Sequence, residues 1–225
     1  RRGPLSVVEA GDPTAPALVL LHDIGSSGDA FQAQVPAFAD RWHLLAPDAP
    51  GYGESDDPAA APGIDGFADA VARLLDDAGI DRCVLLGVSW GGVIATRFAL
   101  RHPDRLRALV LADTSRGSGF DPERAAMMAE RAAQYAADPV GFVRDRTPLL
   151  VADTTPASVV ADIASIMDRA CRMPGYGYAA APLGVTDHPP DLGRIPAPTL
   201  LVVCAPVPAR SPAAPPPTPP LPDMS

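Results

Sequence analysis

The feature that most constrains this chain is a Gly-x-Ser-x-Gly pentapeptide that lies between two opposite structural signals. The residues just before Ser89, 83–88, read Cys-Val-Leu-Leu-Gly-Val without a polar break, which predicts a strand buried on both faces. The residues after Ser89 have the apolar spacing of a helix that ends before Pro103. A strand that passes directly into a helix must bend sharply, and Gly87 and Gly91 leave the space that this bend requires.

The bend predicts an unusual position for the Ser89 side chain. A strained backbone lifts the hydroxyl out of the sheet and sets it at the N-terminal end of the helix, where amide N–H groups and the helix dipole favour negative charge. A hydroxyl in that position is a candidate nucleophile beside half of an oxyanion hole. The alternative interpretation is a tight strand–helix turn in which Ser89 only caps the helix.

The rest of the sequence alternates strand and helix patterns. Apolar runs predict strands at residues 5–10, 17–21, 42–47, 106–112 and 199–204, and amphipathic patterns predict helices at 30–38 and 64–78. Such alternation is typical of an α/β fold with a mostly parallel sheet that is covered on two faces. Asp29 is expected to cap the helix over 30–38. That helix is expected to contact the core through Phe31, Val35 and Phe38.

The pattern changes between residues 117 and 190, where only helices are predicted. They cover residues 121–137, 139–146 and 155–172. We interpret 117–190 as a helical lid inserted into a core that consists of residues 1–116 and 191–204. The methionines of the insertion either fill gaps in the core or line an apolar pocket: Met127, Met128, Met167 and Met173.

Composition excludes several classes of partner. The chain has 225 residues, 47% of them apolar, and a net charge of −9, which argues against nucleic acid or an anionic membrane as partner. No apolar run approaches the ~18 residues of a membrane span, so no membrane-spanning segment is expected, and no signal segment is expected after Arg1. Cys83, Cys171 and Cys204 are far apart and are predicted to be thiols of a cytoplasmic protein. No cluster of metal ligands and no dinucleotide-binding motif is present, so no metal and no cofactor is expected.

Polar loops follow the carboxyl ends of two predicted strands, where parallel sheets bind ligands. These loops read His22-Asp23-Ile24-Gly25 and Asp48-Ala49-Pro50-Gly51-Tyr52-Gly53-Glu54-Ser55. Together with the pentapeptide at 87–91 and the segments 102–111 and 197–203, they resemble the α/β-hydrolase family of serine ester and lactone hydrolases. Residues 173–179 are similar to the lid of 3-oxoadipate enol-lactonases.

The resemblance implies a fold and a site. It implies the α/β-hydrolase fold, with Ser89 as the nucleophile and the backbone N–H groups of Ile24 and Trp90 as the oxyanion hole. The implied substrate is a small ester or lactone, which Ser89 attacks to give an acyl-enzyme that water then hydrolyses. An Asp at position 89 would instead indicate epoxide or haloalkane chemistry. Asp23 stands where the family usually has Gly.

The sequence departs from the family after the last predicted strand. The family's catalytic order is Ser, acid, His, but here no Asp or Glu follows the strand before Asp223 and no His follows at all. The chain as given is therefore expected to lack the C-terminal strand and helix and two triad members, which leaves 199–203 as an exposed apolar edge. Without a base and its orienting acid, the chain as given is expected to have little or no hydrolase activity. The proline-rich residues 205–225 are expected to be disordered or extended. The alternative to a hydrolase is a non-catalytic remnant, or a truncated or frame-disrupted product, that at most binds a ligand.

The four histidines give no candidate base. His22 lies beside the predicted oxyanion loop and is expected to be a structural hydrogen-bonding residue. His43 precedes a strand and His102 lies in a turn after a helix, so both are expected at the surface. His188 lies on the return of the helical insertion, which brings it toward the crevice, but nothing in the sequence orients it.

Three further residues have both a functional and an ordinary interpretation. Asp113 ends the strand after the pentapeptide, where some members of this fold keep their acid, and the alternative is a turn or a helix cap. Arg169 and Arg172 are about one helical turn apart, so they share a helix face. They either hold a substrate carboxylate bidentately or belong to a solvated lid surface.

Overall fold

The computed structural model describes residues 1–188 and 192–203, and the predictions for Cys204 and for 205–225 lie outside this part. Its centre is a six-stranded sheet with the strand order β1-β3-β2-β4-β5-β6. The strands are β1 Val7–Ala10, β2 Ala17–Leu21, β3 His43–Pro47, β4 Cys83–Val88, β5 Leu106–Ala112 and β6 Thr199–Val202. β1 runs antiparallel to β3, and the other neighbouring strands are parallel. The predicted mostly parallel sheet is therefore confirmed.

Helices make up most of the rest of the described residues. The α-helices are α1 Gln34–Phe38, α2 Gly63–Asp77, α3 Trp90–Arg101, α4 Pro122–Ala137, α5 Pro139–Arg146, α6 Ala157–Ala170 and α7 Gly175–Val185. Short 3-10 helices cover Gly28–Phe31, Pro103–Arg105, Thr147–Leu150 and Leu192–Arg194. No helix in residues 1–188 or 192–203 has the length and apolar character needed to cross a membrane.

The two faces of the sheet are covered differently. In β2, Val19 and Leu21 join the larger apolar cluster, while Leu18 and Leu20 join a smaller one, because successive side chains of a strand point to opposite faces. The larger cluster includes the buried faces of α2 and α3. The smaller cluster is closed by Phe31, and β4 contributes to it side chains that are only half-buried: Val84, Leu86 and Val88.

The strand β6 lies at the edge of the sheet and pairs with β5. Its Leu200, Leu201 and Val202, together with the following Val203, are 43% to 70% exposed. The prediction of an exposed apolar edge at 199–203 is therefore confirmed for the residues that the structure describes.

The helix predicted over residues 30–38 is split into a 3-10 helix, Gly28–Phe31, and the short α1. Pro36 has no N–H group, so it is accommodated in the first turn of a helix rather than in the middle of a longer one. The predicted cap was also wrong, because the Ser27 hydroxyl, not Asp29, accepts the N–H that starts the first segment, at 3.3 Å. Phe38 was predicted to contact the core, but its side chain is 37% exposed and does not pack there.

The helical segment between β5 and β6 contains one helix more than the sequence predicts. The predicted helices correspond to α4, α5 and α6, but α7 was missed. Pro182 lies inside α7, and the apolar residues surround this helix instead of marking one side of it. The periodic pattern by which a helix is recognised in a sequence is therefore absent there.

The prediction that His43 lies at the surface was wrong. Its side chain is 2% exposed, because β3 lies between β1 and β2 in the sheet. The Nε2 atom of His43 lies 2.7 Å from the Oε1 atom of Glu9 on β1. His102 is half-buried, and its Nε2 atom lies 2.8 Å from the Oδ1 atom of Asp69 on α2.

Candidate functional site

Ser89 occupies the junction of β4 and α3 with a backbone conformation that few non-glycine residues adopt. Its φ is 50° and its ψ is −114°. The Ser89 N–H donates to the Ala112 carbonyl at the end of β5 at 2.9 Å, and the Ser89 carbonyl accepts from the Thr114 hydroxyl at 2.7 Å. The strained residue is thus held at its N–H by the end of β5 and at its carbonyl by Thr114, two residues beyond that strand. The sharp bend that the sequence predicts is present.

Two glycines make the bend sterically possible. A Cβ atom at Gly87 would lie 2.3 Å from the carbonyl oxygen of Gly91. A Cβ atom at Gly91 would lie 2.3 Å from the carbonyl oxygen of Leu21, the last residue of β2. The first turn of α3 therefore packs directly on the end of β2, next to the loop that begins at His22.

His22 organises the loop that follows β2. The Ala49 N–H donates to His22 Nε2 at 3.0 Å, so the Nδ1 atom carries the proton and donates to the Asp23 carbonyl at 2.7 Å. Burial lowers the pKa of His22, which keeps the ring neutral. The ring packs against Tyr52 and Trp90. Because both ring nitrogens have partners, the structural role predicted for His22 is consistent with its contacts.

Asp48 ties the two polar loops together, a role that the sequence analysis did not assign. Its Oδ1 atom accepts the Gly28 N–H at 2.9 Å, and its Oδ2 atom accepts the Glu54 N–H at 3.1 Å. The Ser55 hydroxyl donates to the Asp48 carbonyl at 2.7 Å. The available signal was the spacing of Asp, glycines and Ser in the loop 48–55, since an Asp that opens a glycine-rich turn commonly accepts backbone N–H groups.

We call the junction of β4 and α3 around Ser89 the elbow. The predicted oxyanion-hole residues lie on the first turn of α3 and in the loop after β2, and α3 packs on the start of that loop. Trp90 is the first residue of α3 and is fully buried, while Ile24 is half-buried and contacts the main core. Within residues 1–188 and 192–203, neither backbone N–H donates a hydrogen bond. Asp23, beside Ile24, is half-buried, and burial raises the pKa of its carboxyl against the opposing effect of His22.

The described histidines have partners other than Ser89. His22, His43 and His102 are engaged as given above, and His188 is buried with its Nε2 atom 3.3 Å from the Val93 carbonyl. Asp113 has a φ of 45° and is exposed, and its backbone N–H donates to the Val202 carbonyl at 2.9 Å. No hydrogen bond links the Ser89 hydroxyl to a histidine in the described part of the chain.

The structure gives Arg172 and Arg169 roles other than a shared grip on a substrate carboxylate. Arg172 donates to the carbonyls of Gly53 and Ser55 and pairs with Asp57, so its donors are used by the loop after β3. Arg169 donates to the Ser165 hydroxyl at 2.5 Å and lies 3.5 Å from Asp29. The two side chains therefore have different partners in the structure, and a shared hold on a substrate carboxylate stays a prediction.

An aromatic cluster connects the helical segment to the loop after β2. Its buried members are Tyr135, Phe142, Cys171, Tyr176 and Ala180. Ile24 packs against this cluster, and a Cβ atom at Gly25 would lie 3.6 Å from the Tyr176 ring. The Tyr135 hydroxyl donates to the Cys171 carbonyl at 2.5 Å. The segment between β5 and β6 therefore contacts the predicted oxyanion loop.

The cysteines that the structure describes are buried free thiols, as predicted. Burial raises the pKa of both Cys83 and Cys171 to about 12, so neither is a reactive thiolate at neutral pH. Among these residues no group of three or more His, Cys, Asp and Glu side chains is placed to hold a metal ion.

Comparison with known proteins identifies the family. A family model described as alpha/beta hydrolase fold matches residues 16–153. The chain belongs to the alpha/beta hydrolase family. It is 43% identical to epoxide hydrolase A of Mycobacterium tuberculosis over 109 residues, which are 47% of this chain and 34% of that protein. The matches to the first curated relatives span about a third to a half of the length of those proteins.

Two solved structures of hydrolases superpose on most of this alpha/beta hydrolase chain. A thermophilic esterase from Thermogutta terrifontis, solved with malate bound, has a TM-score of 0.78 and 28% identity and covers 88% of this chain and 74% of its own. The enol-lactonase from Burkholderia xenovorans LB400 has a TM-score of 0.67 and 25% identity. The match covers 88% of this chain and 76% of the enol-lactonase chain. The resemblance read from the sequence is therefore confirmed at the level of fold and family.

The packing of the elbow predicts a large cost for a single methyl group. In Gly91→Ala the new Cβ would meet the backbone of β2, which cannot move without distorting the sheet. We expect the free energy of unfolding to fall by about 1–3 kcal/mol, measured by urea denaturation. Gly193→Ala is the matched control, because no heavy atom lies within 4 Å of that Cβ position, and its effect should stay within about 0.5 kcal/mol. Equal effects of the two substitutions would contradict the tight packing of α3 on β2.

Proposed function

We propose that this chain is a serine hydrolase of small carboxylic esters or lactones that acts through an acyl-enzyme on Ser89. The observation that carries the proposal is the strained backbone of Ser89 at the start of α3. Strain of this kind costs of order 1–3 kcal/mol and is concentrated at functional sites. The esterase and enol-lactonase neighbours support ester or lactone substrates. Ser89, rather than an Asp at this position, argues against the activity that the epoxide hydrolase relative's name states.

The proposed reaction follows from the groups at the elbow. The Ser89 oxygen bonds to the carbonyl carbon of the substrate, and negative charge develops on the carbonyl oxygen. The N–H groups of Trp90 and Ile24 would stabilise that charge, helped by the dipole of α3. The C–O bond to the alcohol then breaks, and the alcohol leaves with the proton that Ser89 lost. Water attacks the acyl-enzyme, which releases the acid and restores the Ser89 hydroxyl.

We also propose that the helical segment 117–190 acts as a lid for this site. Its support is the set of contacts between the segment and the loops at the carboxyl ends of β2 and β3. The Gly53 N–H donates to the Ala170 carbonyl at 2.8 Å, and Arg172 donates to the same loop. A Cβ atom at Gly175 would lie 2.1 Å from the Gly51 carbonyl oxygen. These contacts join the segment to the loop after β3, which supports its role as a lid.

A lid predicts uneven hydrogen exchange. Segments that open separately from the core lose amide protection first, because opening them breaks few contacts in the sheet. We expect amides of α5 and α6 to exchange at least about tenfold faster than those of β2, β4 and β5, as measured by hydrogen–deuterium exchange with mass spectrometry. Uniform protection of helices and strands would contradict an independently opening lid.

A second candidate function is a non-catalytic chain that binds a ligand in the same crevice. It is favoured by the observation that each of the four histidines has a partner other than Ser89. A serine hydroxyl is a poor nucleophile until a base accepts its proton.

A small molecule is the expected partner in both proposals. A cytoplasmic location stays a prediction.

The test is hydrolysis of p-nitrophenyl acetate and butyrate by the 225-residue chain and by its Ser89→Ala variant. If the chain is a serine hydrolase, we expect it to hydrolyse these esters and the Ser89→Ala variant to lose that activity. If the oxyanion hole acts without a base, the residual acceleration is expected to be about 10³ over water. Equal rates for the two proteins would reject Ser89 as the nucleophile and favour the non-catalytic alternative.

A further inference from the structure

Two neighbouring cavities lie between α2, the residues before β1 and the loop after β3. The outer cavity has a volume of about 200 Å³, and its walls include the buried side chains of Leu5, Ala70 and Leu74. The inner cavity has a volume of about 20 Å³. Leu5, Pro50 and Ala70 line both cavities, so the two spaces adjoin.

Hydrogen bonds fix the residues before β1 beside the outer cavity. The Asp56 N–H donates to the Pro4 carbonyl at 2.9 Å, and the Ser6 N–H donates to the Ser55 hydroxyl oxygen at 2.9 Å. Leu5 lies between these two contacts in the chain and is 5% exposed. The backbone around Leu5 is therefore held on the loop after β3, so this wall of the cavity is formed by the fold itself.

The inner cavity is lined by Trp90, the residue that follows Ser89 at the elbow. A space of about 20 Å³ admits a single group of about the size of a water molecule. The polar groups of His22 and Asp48, which also line this cavity, have the partners given above. Trp90 is 1% exposed, and its Nε1–H group has no acceptor among the described residues. Since an unpaired buried donor is unfavourable, this N–H favours an acceptor atom in the inner cavity.

The charged residues at the outer cavity do not call for a charged ligand. They are Arg2, Asp56, Asp57, Arg73 and Asp77. Three of them form ion pairs with residues outside the cavity. Arg73 and Asp77 carry opposite charges, are exposed to water and are four positions apart on α2, and Asp77 also attracts the guanidinium of Arg2. A neutral molecule therefore suits these walls better than an ion does.

We propose that the two cavities form a binding site for a neutral, mainly apolar small molecule that carries one hydrogen-bond acceptor. Its apolar part fills the outer cavity, since an apolar protein cavity of about 150 Å³ is large enough to bind benzene. Its acceptor, a carbonyl or ether oxygen, reaches the inner cavity past the shared residues and accepts the Trp90 Nε1–H. Ser89 lines neither cavity, so this ligand is not the ester that Ser89 attacks, and the inference stands apart from the proposed function.

The test is proton–nitrogen NMR of the tryptophan indole N–H groups in the 225-residue chain. The chain has two tryptophans, so Trp42→Phe identifies which of the two signals belongs to Trp90. The probes are acetophenone, which joins a carbonyl to an apolar ring, ethylbenzene, which has nearly the same shape and no acceptor, and benzoate, which adds a negative charge. We expect acetophenone to shift the Trp90 signal in a saturable way and to bind at least about tenfold more tightly than the other two.

Ala70→Leu is expected to weaken the binding of acetophenone by at least about tenfold, because the larger side chain fills space at both cavities. Ala72→Leu is the matched control, since it makes the same change on α2 at a buried residue that lines neither cavity. A Trp90 signal that does not respond to acetophenone, an equal affinity for ethylbenzene or benzoate, or an equal loss in Ala72→Leu would each overturn the proposal. If Ala70→Leu does not fold, as judged by circular dichroism, the comparison of the three probes on the unsubstituted chain decides the question.

Discussion

The site depends on the close contact between the first turn of α3 and the carboxyl end of β2. Gly91 lies so near the Leu21 carbonyl that no other residue fits without displacement of the backbone. This contact leaves no room for a gradual turn from β4 into α3, so Ser89 takes the strained conformation with φ of 50°. The strain is held by two hydrogen bonds: the Ser89 N–H donates to Ala112 at the end of β5, and the Ser89 carbonyl accepts from the hydroxyl of Thr114, two residues later. The parallel strands β2, β4 and β5 therefore together determine the position of Ser89.

The loops around the elbow are fixed by a second set of hydrogen bonds. The neutral ring of His22 joins the loop after β2 to Ala49, and the carboxylate of Asp48 joins the same loop to Glu54. Trp90 packs its ring against His22 and Tyr52 beneath this network. Groups that are fixed before substrate binds need no reorganisation when charge develops on it. The arrangement therefore suits the stabilisation of an oxyanion.

Much of this arrangement could be predicted from the sequence because it depends on local signals. The pentapeptide at 87–91, the apolar strands and the loop 48–55 each have a spacing that only a few backbone geometries satisfy. Two of the misses concern contacts between distant parts of the chain. Arg172 looked like a free lid residue until the fold placed it against Gly53, and His43 looked exposed until β1 covered it. Helix α7 was missed because it contains Pro182 and is apolar on all sides, so its sequence lacks the alternation of apolar and polar residues by which a helix is recognised.

Arginines of the helical segment show the same limit. Arg131 and Arg146 are 15 positions apart on separate helices, and only the packing of α4 against α5 brings them to the lining of one cavity. Spacing within one helix instead pointed to Arg169 and Arg172, whose donors serve Ser165 and the loop after β3. A sequence pattern reports which residues share a face, whereas the partners of that face are set by tertiary structure.

The most direct test of the account is to trap the acyl-enzyme. The 225-residue chain is mixed with p-nitrophenyl acetate and quenched in acid, and the intact mass and the peptide masses are measured. The account predicts one added acetyl group on the peptide that contains Ser89 and none on that peptide of the Ser89→Ala variant. Release of p-nitrophenol without acetylation of Ser89, or the same acetylated peptides in both proteins, would contradict the claim that the strained turn makes Ser89 the nucleophile.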